Sequence, residues 1–429
     1  MLDDLKLQCC VMSSVVSLLA IVHLARLWRE GQFVSAIGGL HSNVLIFFGI
    51  GPFLYGLQDN VPERIGFEGV LLGLSKTGWY FVIGYAVLTL WRLPRPKLLF
   101  QSAIRPVYLG TMALAGVLGY LGAQTDFASS GVGTVFPVLK YFLYPTLFLA
   151  VVNMDRRDSF TVILAGTLLA TTLFFAYVSP WRSEFISLAV CLTMGRFFRR
   201  SRISVPVMVG VAFLIWLFIP FLQVKKMEYD FAVRHPLSAI GESFSVSFAE
   251  RSAIVSGLLA IRINAFREMG FVQNALDSNI IDRRFGSSYV EALQQLVPRI
   301  LWPGKPSFNQ TTNYLLARQI GLLGFEDPST SWGVHTFAEF VWNFDAINLL
   351  WFVPLLFWCV AALERVVRDR LRSDAARTMV CSVYFFQFMV FVGLVGTVTY
   401  VVWLLVAAVG IVWMTGAVGR QAGMAAVRS

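Results

Sequence analysis

The chain has 429 residues, of which 57% are hydrophobic and only 14% charged, and its formal net charge is +10. Soluble domains carry about 25% charged residues, so a soluble enzyme, a disordered tail and a DNA-binding domain are excluded, and a polytopic membrane protein is left. The excess of 35 Lys and Arg over 25 Asp and Glu is read as loop charge beside a membrane, not as a nucleic-acid patch.

The chain opens Met1-Leu2-Asp3-Asp4-Leu5-Lys6, acidic rather than basic, so the first apolar run is expected to be a retained helix and not a signal peptide. At roughly 20 apolar residues per span, runs near 8–26, 34–57, 69–91, 102–123, 134–152, 160–179, 183–198 and 205–224 predict eight transmembrane helices. Runs near 337–363, 378–395 and 397–415 predict three more. Arg105-Pro106 interrupts the fourth, and the last two are one apolar stretch divided at Gly393 and Gly396.

The loops alternate in charge. Arg26 and Arg29, then Arg92, Arg95 and Lys97, then Arg156 and Arg157, then Arg196, Arg199, Arg200 and Arg202 fall on one side. Arg365, Arg368, Arg370, Arg372 and Arg377, then Arg420 and Arg428, continue that set. The intervening connections are poor in Lys and Arg. The positive-inside rule makes the basic side cytoplasmic, with the amino terminus out and the carboxyl terminus in.

Between about Gln223 and His335 no run is long enough to span. This stretch falls on the outer side and is near-neutral. Ile254, Val255, Leu258, Leu259, Ile261 and Ile263 form an apolar helical patch; Tyr289, Leu293 and Leu296 form a second, and Tyr314, Leu315, Leu316 and Ile320 a third. The expected fold is therefore an all-α polytopic membrane protein of about eleven transmembrane helices, with one large extracytoplasmic helical loop between the eighth and ninth spans. Its organisation reads as 1–224 for the first eight helices, 225–335 for the outer loop subdomain and 336–429 for the remaining helices and a cytoplasmic tail.

Three constellations could carry chemistry. Val297-Pro298-Arg299-Ile300-Leu301-Trp302-Pro303-Gly304-Lys305-Pro306 holds three prolines, which forbid a continuous helix and give a stiff turn. Such a turn fixes Arg299 and Lys305, a guanidinium and an ammonium suited to a phosphate or pyrophosphate; the competing reading is a surface turn with two solvated cations. Arg182 in Pro180-Trp181-Arg182-Ser183-Glu184 sits on a short outer connection, where it either faces an anionic headgroup or anchors the interface. His335 and Glu339 are four residues apart at the start of the ninth predicted span and share a helix face, so either could serve as a general base; the competing reading is a polar helix cap. Arg251, at the start of the first apolar patch, adds a cation that could face inward.

Other signals are weaker. His23 and His41 lie in apolar spans and read as satisfied inside the bundle. Cys9, Cys10, Cys191, Cys359 and Cys381 include no CxxC pair, so neither a zinc ribbon nor a disulfide framework is expected. The chain lacks a P-loop, GxGxxG, HExxH and Gly-x-Ser-x-Gly. No cofactor and no metal site is implied.

The run Pro298-Arg299, Trp302-Pro303, Lys305-Pro306, followed by Gly333, Glu339 and Asn343-Phe344, resembles the Wzy-type O-antigen and exopolysaccharide repeat-unit polymerases. In that family the run ends a large periplasmic loop and leads into a span, and Arg182 matches the family's Arg on a short outer turn. This chain departs from the pattern at Asp345, where the family usually has Gly, and at Gln310, which leaves the spaced Arg-to-Gly pattern unmet. The resemblance implies a metal-independent glycosyltransferase of the bacterial inner membrane. It would move a growing glycan from undecaprenyl pyrophosphate to a lipid-linked oligosaccharide repeat unit at the outer face. Arg182, Arg299, Lys305 and Arg251 would hold the pyrophosphate, and His335 or Glu339 would take the acceptor proton. A chain-length regulator and a flippase would be its partners, with no nucleic acid. The competing functions are a ligase moving finished glycan, which would also use a His, and a transporter or flippase for lipid-linked sugars, for which paired inverted repeats are wanting.

Overall fold

A computed structural model describes residues 2–57, 67–91, 93–94, 104–123, 139–154, 159–178, 183–200, 209, 213, 216, 238, 241, 245–262, 264–294, 297, 301–302, 304, 312–321, 334–371, 373–389, 402, 406 and 410. No strand occurs among them. The helices are α1 (Leu2–Arg29), α2 (Ala36–Val44), a π-helical stretch (Leu45–Ile50), α3 (Gly51–Gly56), α4 (Phe67–Val87) and α5 (Pro106–Ala123). A 3-10 turn (Lys140–Phe142) leads into α6 (Leu143–Asn153), followed by α7 (Ser159–Val178) and α8 (Ser183–Arg200). Next come α9 (Phe248–Arg262), α10 (Ala265–Asp277), α11 (Ser287–Gln294), α12 (Thr312–Gln319) and α13 (Thr336–Asn343). A second 3-10 turn (Ala346–Asn348) opens α14 (Leu349–Arg370), and α15 (Asp374–Met389) follows.

Four helical stretches among the described residues are long and apolar enough to cross a membrane: Asp4–Arg29, Ala36–Gly56, Pro106–Ala123 and Ala346–Arg370. They match the first, second, fourth and ninth predicted spans, with two shifts. Arg105-Pro106 does not interrupt the fourth span. Pro106 is the first residue of α5, where its missing N–H costs no intrahelical bond. The ninth span does not run from 337: α13 ends at Asn343, Phe344 is extended (φ −129°, ψ −170°), and the long helix starts beyond it. Residues 378–389 of the tenth predicted span lie in α15, whereas the run at 397–415 falls almost wholly outside the described residues, as does the one at 205–224.

The chain divides into two compact units, each discontinuous in sequence. One comprises Met1–Phe100, Gly257–Leu371 and Tyr384–Val402; the other comprises Gln101–Ser256, Arg372–Val383 and Trp403–Ser429. Residues Gly257–Leu371 thus group with the first helices. In the first unit α10 lies along α4. A methyl added at Gly73 would stand 2.6 Å from the Gly270 carbonyl oxygen, so the two backbones approach as only glycine allows. Phe48, Phe81, Phe266 and Phe337, from the π stretch, α4, α10 and α13, form an aromatic core, with Phe48 and Phe81 stacked at 3.9 Å.

Several buried polar groups inside this unit are paired with one another. His41 bonds the Tyr85 hydroxyl at 2.6 Å and stacks on His23 at 4.5 Å. Glu364 accepts the Ala36 N–H at 3.0 Å, at the start of α2, and the Arg368 guanidinium at 3.1 Å. A carboxylate is favoured there by the helix dipole as well as by its counter-ion. In the second unit Tyr120 stacks on Phe175 at 3.7 Å and donates to its carbonyl at 3.0 Å, while the Cys191 thiol donates to the Tyr144 carbonyl.

Candidate functional site

The residues at the start of the ninth predicted span converge on α13. His335 is its N-cap: Nδ1 accepts from the Phe337 N–H at 3.4 Å. That acceptor role places the proton on Nε2, which bonds Asn43 Oδ1 at 3.2 Å. Asn43 in turn donates from Nδ2 to the Met389 carbonyl at 3.1 Å, which orients its oxygen toward the imidazole. The His335 N–H donates to Glu268 Oε2 at 2.6 Å, so a carboxylate from α10 caps α13. Phe47, Phe48 and Phe337 surround the ring at 5.1 to 5.5 Å, and His335 is buried. Burial pushes the His335 imidazole down to about 3.

One turn on, Glu339 is fully buried and Oε1 accepts from the Ser288 hydroxyl at 2.8 Å. Asn343, again one turn on, donates to Ser288 Oγ at 2.7 Å and to the Glu339 carbonyl at 2.9 Å. The spacing of Glu339 and Asn343 puts both on one helical face, and Ser288 from α11 joins them. The loop 282–286 closes the same side. Gly286 N–H donates to Asn343 Oδ1 at 2.9 Å, and Trp342 Nε1 donates to the Asp282 carbonyl at 2.9 Å. Arg283 donates to the Phe344 carbonyl at 2.6 Å and pairs with Asp345 at 3.3 Å. The Trp342 and Asn343 carbonyls accept from the Arg284 and Phe285 N–H groups instead of from a further helical turn, in keeping with the break after Asn343. Phe285 and Gly286 have positive φ, +47° and +87°, so the loop turns sharply to reach α13.

Tyr289 completes the group. Burial, then the negative charge of Glu339, raises its phenol well above the usual range. Its hydroxyl is buried and has no hydrogen-bond partner among the described residues. An orphaned buried hydroxyl beside a carboxylate is a place where a ligand hydroxyl could be accommodated.

The other predicted site residues are distributed differently. Arg182, Arg299 and Lys305 lie outside the described residues. Within the run that carries Arg299 and Lys305, Leu301 is 75% and Trp302 38% exposed. Arg251 belongs to the other compact unit, where it is buried with its guanidinium 5.3 Å over the Trp216 ring. Among the described residues no cluster of three or more His, Cys, Asp or Glu side chains could hold a metal ion.

Comparison of the chain with protein-family models, with curated proteins and with solved structures finds no match. The chemistry therefore has to be argued from this site. Sequence reasoning missed Glu268, Asn43, Ser288 and Tyr289. The π-helical stretch Leu45–Ile50 next to Asn43 is a feature that often marks functional sites, but it has no sequence signature. Tyr289 begins a predicted apolar patch and Ser288 precedes it, and nothing in their spacing points to Glu339.

Proposed function

We propose that this protein is a polysaccharide repeat-unit polymerase of the bacterial inner membrane, with about eleven spans, its amino terminus outside and its carboxyl terminus inside. It transfers a growing glycan from undecaprenyl pyrophosphate to a lipid-linked oligosaccharide repeat unit. An acceptor hydroxyl oxygen bonds to the anomeric carbon of the growing chain. The bond from that carbon to pyrophosphate breaks, its electron pair leaves on the pyrophosphate oxygen, and the hydroxyl proton passes to a carboxylate.

The observation that carries this reading is the Glu339 array. Glu339 already accepts a hydroxyl hydrogen, from Ser288, which is the bond an acceptor sugar would make, and the unpartnered Tyr289 hydroxyl adjoins it in sequence. Glu339 is therefore the proton acceptor. His335 holds the start of α13, since both of its ring nitrogens are engaged. Arg182, Arg299 and Lys305 hold the departing pyrophosphate, whose charge fixed cations stabilise as the bond breaks. The exposure of Leu301 and Trp302 suits a turn that meets its ligand at the surface.

The test is a deletion strain complemented with wild type, Arg299→Ala, Arg182→Ala or Glu339→Gln, with undecaprenyl-linked glycans sized separately on each leaflet. Single repeat units should accumulate on the outer leaflet in the deletion and in each variant. General-base loss should slow transfer about 100-fold or more in Glu339→Gln at equal membrane abundance. Long lipid-linked chains would instead indicate a ligase, and units trapped on the inner leaflet a flippase. Unchanged glycans would overturn the reading.

A further inference from the structure

The loop and helix that close on Glu339 carry an apolar surface that the proposed transfer does not use. Phe285, in the loop 282–286, is 78% exposed, and Val290 and Leu293 on α11 are each 59% exposed. Val290 and Leu293 are three residues apart and lie on the face of α11 opposite Ser288, which is buried against Glu339. One face of α11 is bonded into the array and the other is exposed. Phe285 is also held in a costly conformation. Its φ of +47° is one that bulky side chains rarely adopt, yet the loop is fixed there. The Arg284 and Phe285 N–H groups donate to the Trp342 and Asn343 carbonyls, and the Gly286 N–H donates to Asn343 Oδ1. Backbone strain that presents an aromatic ring to water is penalised twice, whereas an apolar phase around the ring offsets it.

Position identifies that phase. α13 and α14 form a hairpin that reverses at Phe344-Asp345, with the Phe340 ring stacked on Phe352 at 3.7 Å. Glu339, and with it Ser288, therefore stands at the height of the first two turns of α14. That helix belongs to the candidate span Ala346–Arg370, whose far end carries Arg368 and Arg370. At its near end Ile347 and Trp351 are 50% and 49% exposed, as expected where a span enters the bilayer. The loop is tied to this same point. Arg283 donates to the Phe344 carbonyl and pairs with Asp345, and a methyl added at Gly286 would stand 3.5 Å from the Phe344 ring. Arg284 is paired as well, with Glu291, which lowers the cost of placing these charges beside lipid. We infer that the loop 282–286 and the exposed face of α11 are seated in the bilayer interface at the start of α14, with Phe285, Val290 and Leu293 in contact with lipid. The inference rests on placement alone and holds whatever reaction Glu339 serves.

The experiment uses the purified full chain in nanodiscs of phosphatidylcholine and phosphatidylglycerol. Photoactivatable p-benzoylphenylalanine takes the place of Phe285, of Val290 or, as the lipid-facing reference, of Trp351. Illumination should give phospholipid adducts at all three positions, read by intact mass. An adduct at Trp351 with none at Phe285 or Val290 would overturn the inference, whether those positions stay unreacted or cross-link within the chain. Should the substituted chains fail to fold, a phospholipid bearing a diazirine near its glycerol decides on the wild-type chain. It should label 285–293, and labelling confined to the spans overturns the seating. Phe285→Ser, Val290→Ser and Leu293→Ser combined should abolish the labelling of 285–293 and leave that of 347–351 as in wild type. Undiminished labelling of 285–293 in that variant would mean that these side chains do not hold the segment in lipid.

Discussion

Glu339 and Glu364 lie on successive helices of one compact unit, and both are buried, yet they are satisfied by different means. Glu364 has the full charge of Arg368 and the N–H at the start of α2. Glu339 has among its partners the Ser288 hydroxyl, with the Asn343 amide bonded to the same oxygen of Ser288. An ion pair with no solvent-exposed face is a structural clamp that tolerates no exchange of partner. A carboxylate bonded to a hydroxyl can trade that hydroxyl for another at little cost, which is what a proton acceptor requires.

The largest effect that would sharpen this contrast is at Arg368. Arg368→Met leaves Glu364 buried without its counter-ion and should cost about 3–5 kcal/mol, read as a lowered unfolding temperature in detergent. Adding Glu364→Gln should restore most of it. A single variant as stable as wild type would remove the clamp from the account.

Ser288→Ala tests the other carboxylate. It strips one bond each from Glu339 and Asn343 and should cost about 1–3 kcal/mol, less than Arg368→Met. A loss equal to or greater than that of Arg368→Met would erase the distinction between clamp and exchangeable bond.

The third effect is pH-dependent. The His335 imidazole titrates at about 3 in the folded chain, against about 6.5 when unfolded. Above pH 6.5 both states are neutral and its contribution is fully present. As pH falls from 6.5 toward 3 the unfolded chain takes up a proton that the folded chain refuses, so stability declines, by about 2 kcal/mol at pH 5. Unfolding temperatures at pH 7.5 and pH 5 should therefore converge in His335→Gln relative to wild type. An identical pH response in both would mean that the ring is accessible to protons in the folded state.

Much of the helical order was legible. The apolar patches at 254–263, 289–296 and 314–320 coincide with α9, α11 and α12, because each pattern repeats at the helical period. The pairing of His335 with Glu339 on one structural element was also legible, although the two side chains meet different partners. What escaped was α10. Its sequence contains Arg267, Glu268, Gln273 and Asn274 and does not stand out as an apolar patch, yet most of it is buried. Three of its polar groups find partners within the fold: Asn264 caps the Arg267 N–H, Glu268 takes the His335 N–H, and Gln273 donates to Asp277. A hydropathy pattern counts polar atoms without knowing which will find partners.

Composition alone pointed to a membrane protein, because so few charges among so many apolar residues are hard to keep in water, and four described helices are long and apolar enough to cross a membrane. Only the tertiary structure decided that residues beyond Gly257 fold with the first helices, and that Glu339, Ser288 and Asn343 form one array. Those contacts join positions distant in the chain, and their free energy comes from desolvated hydrogen bonds whose partners no local pattern specifies.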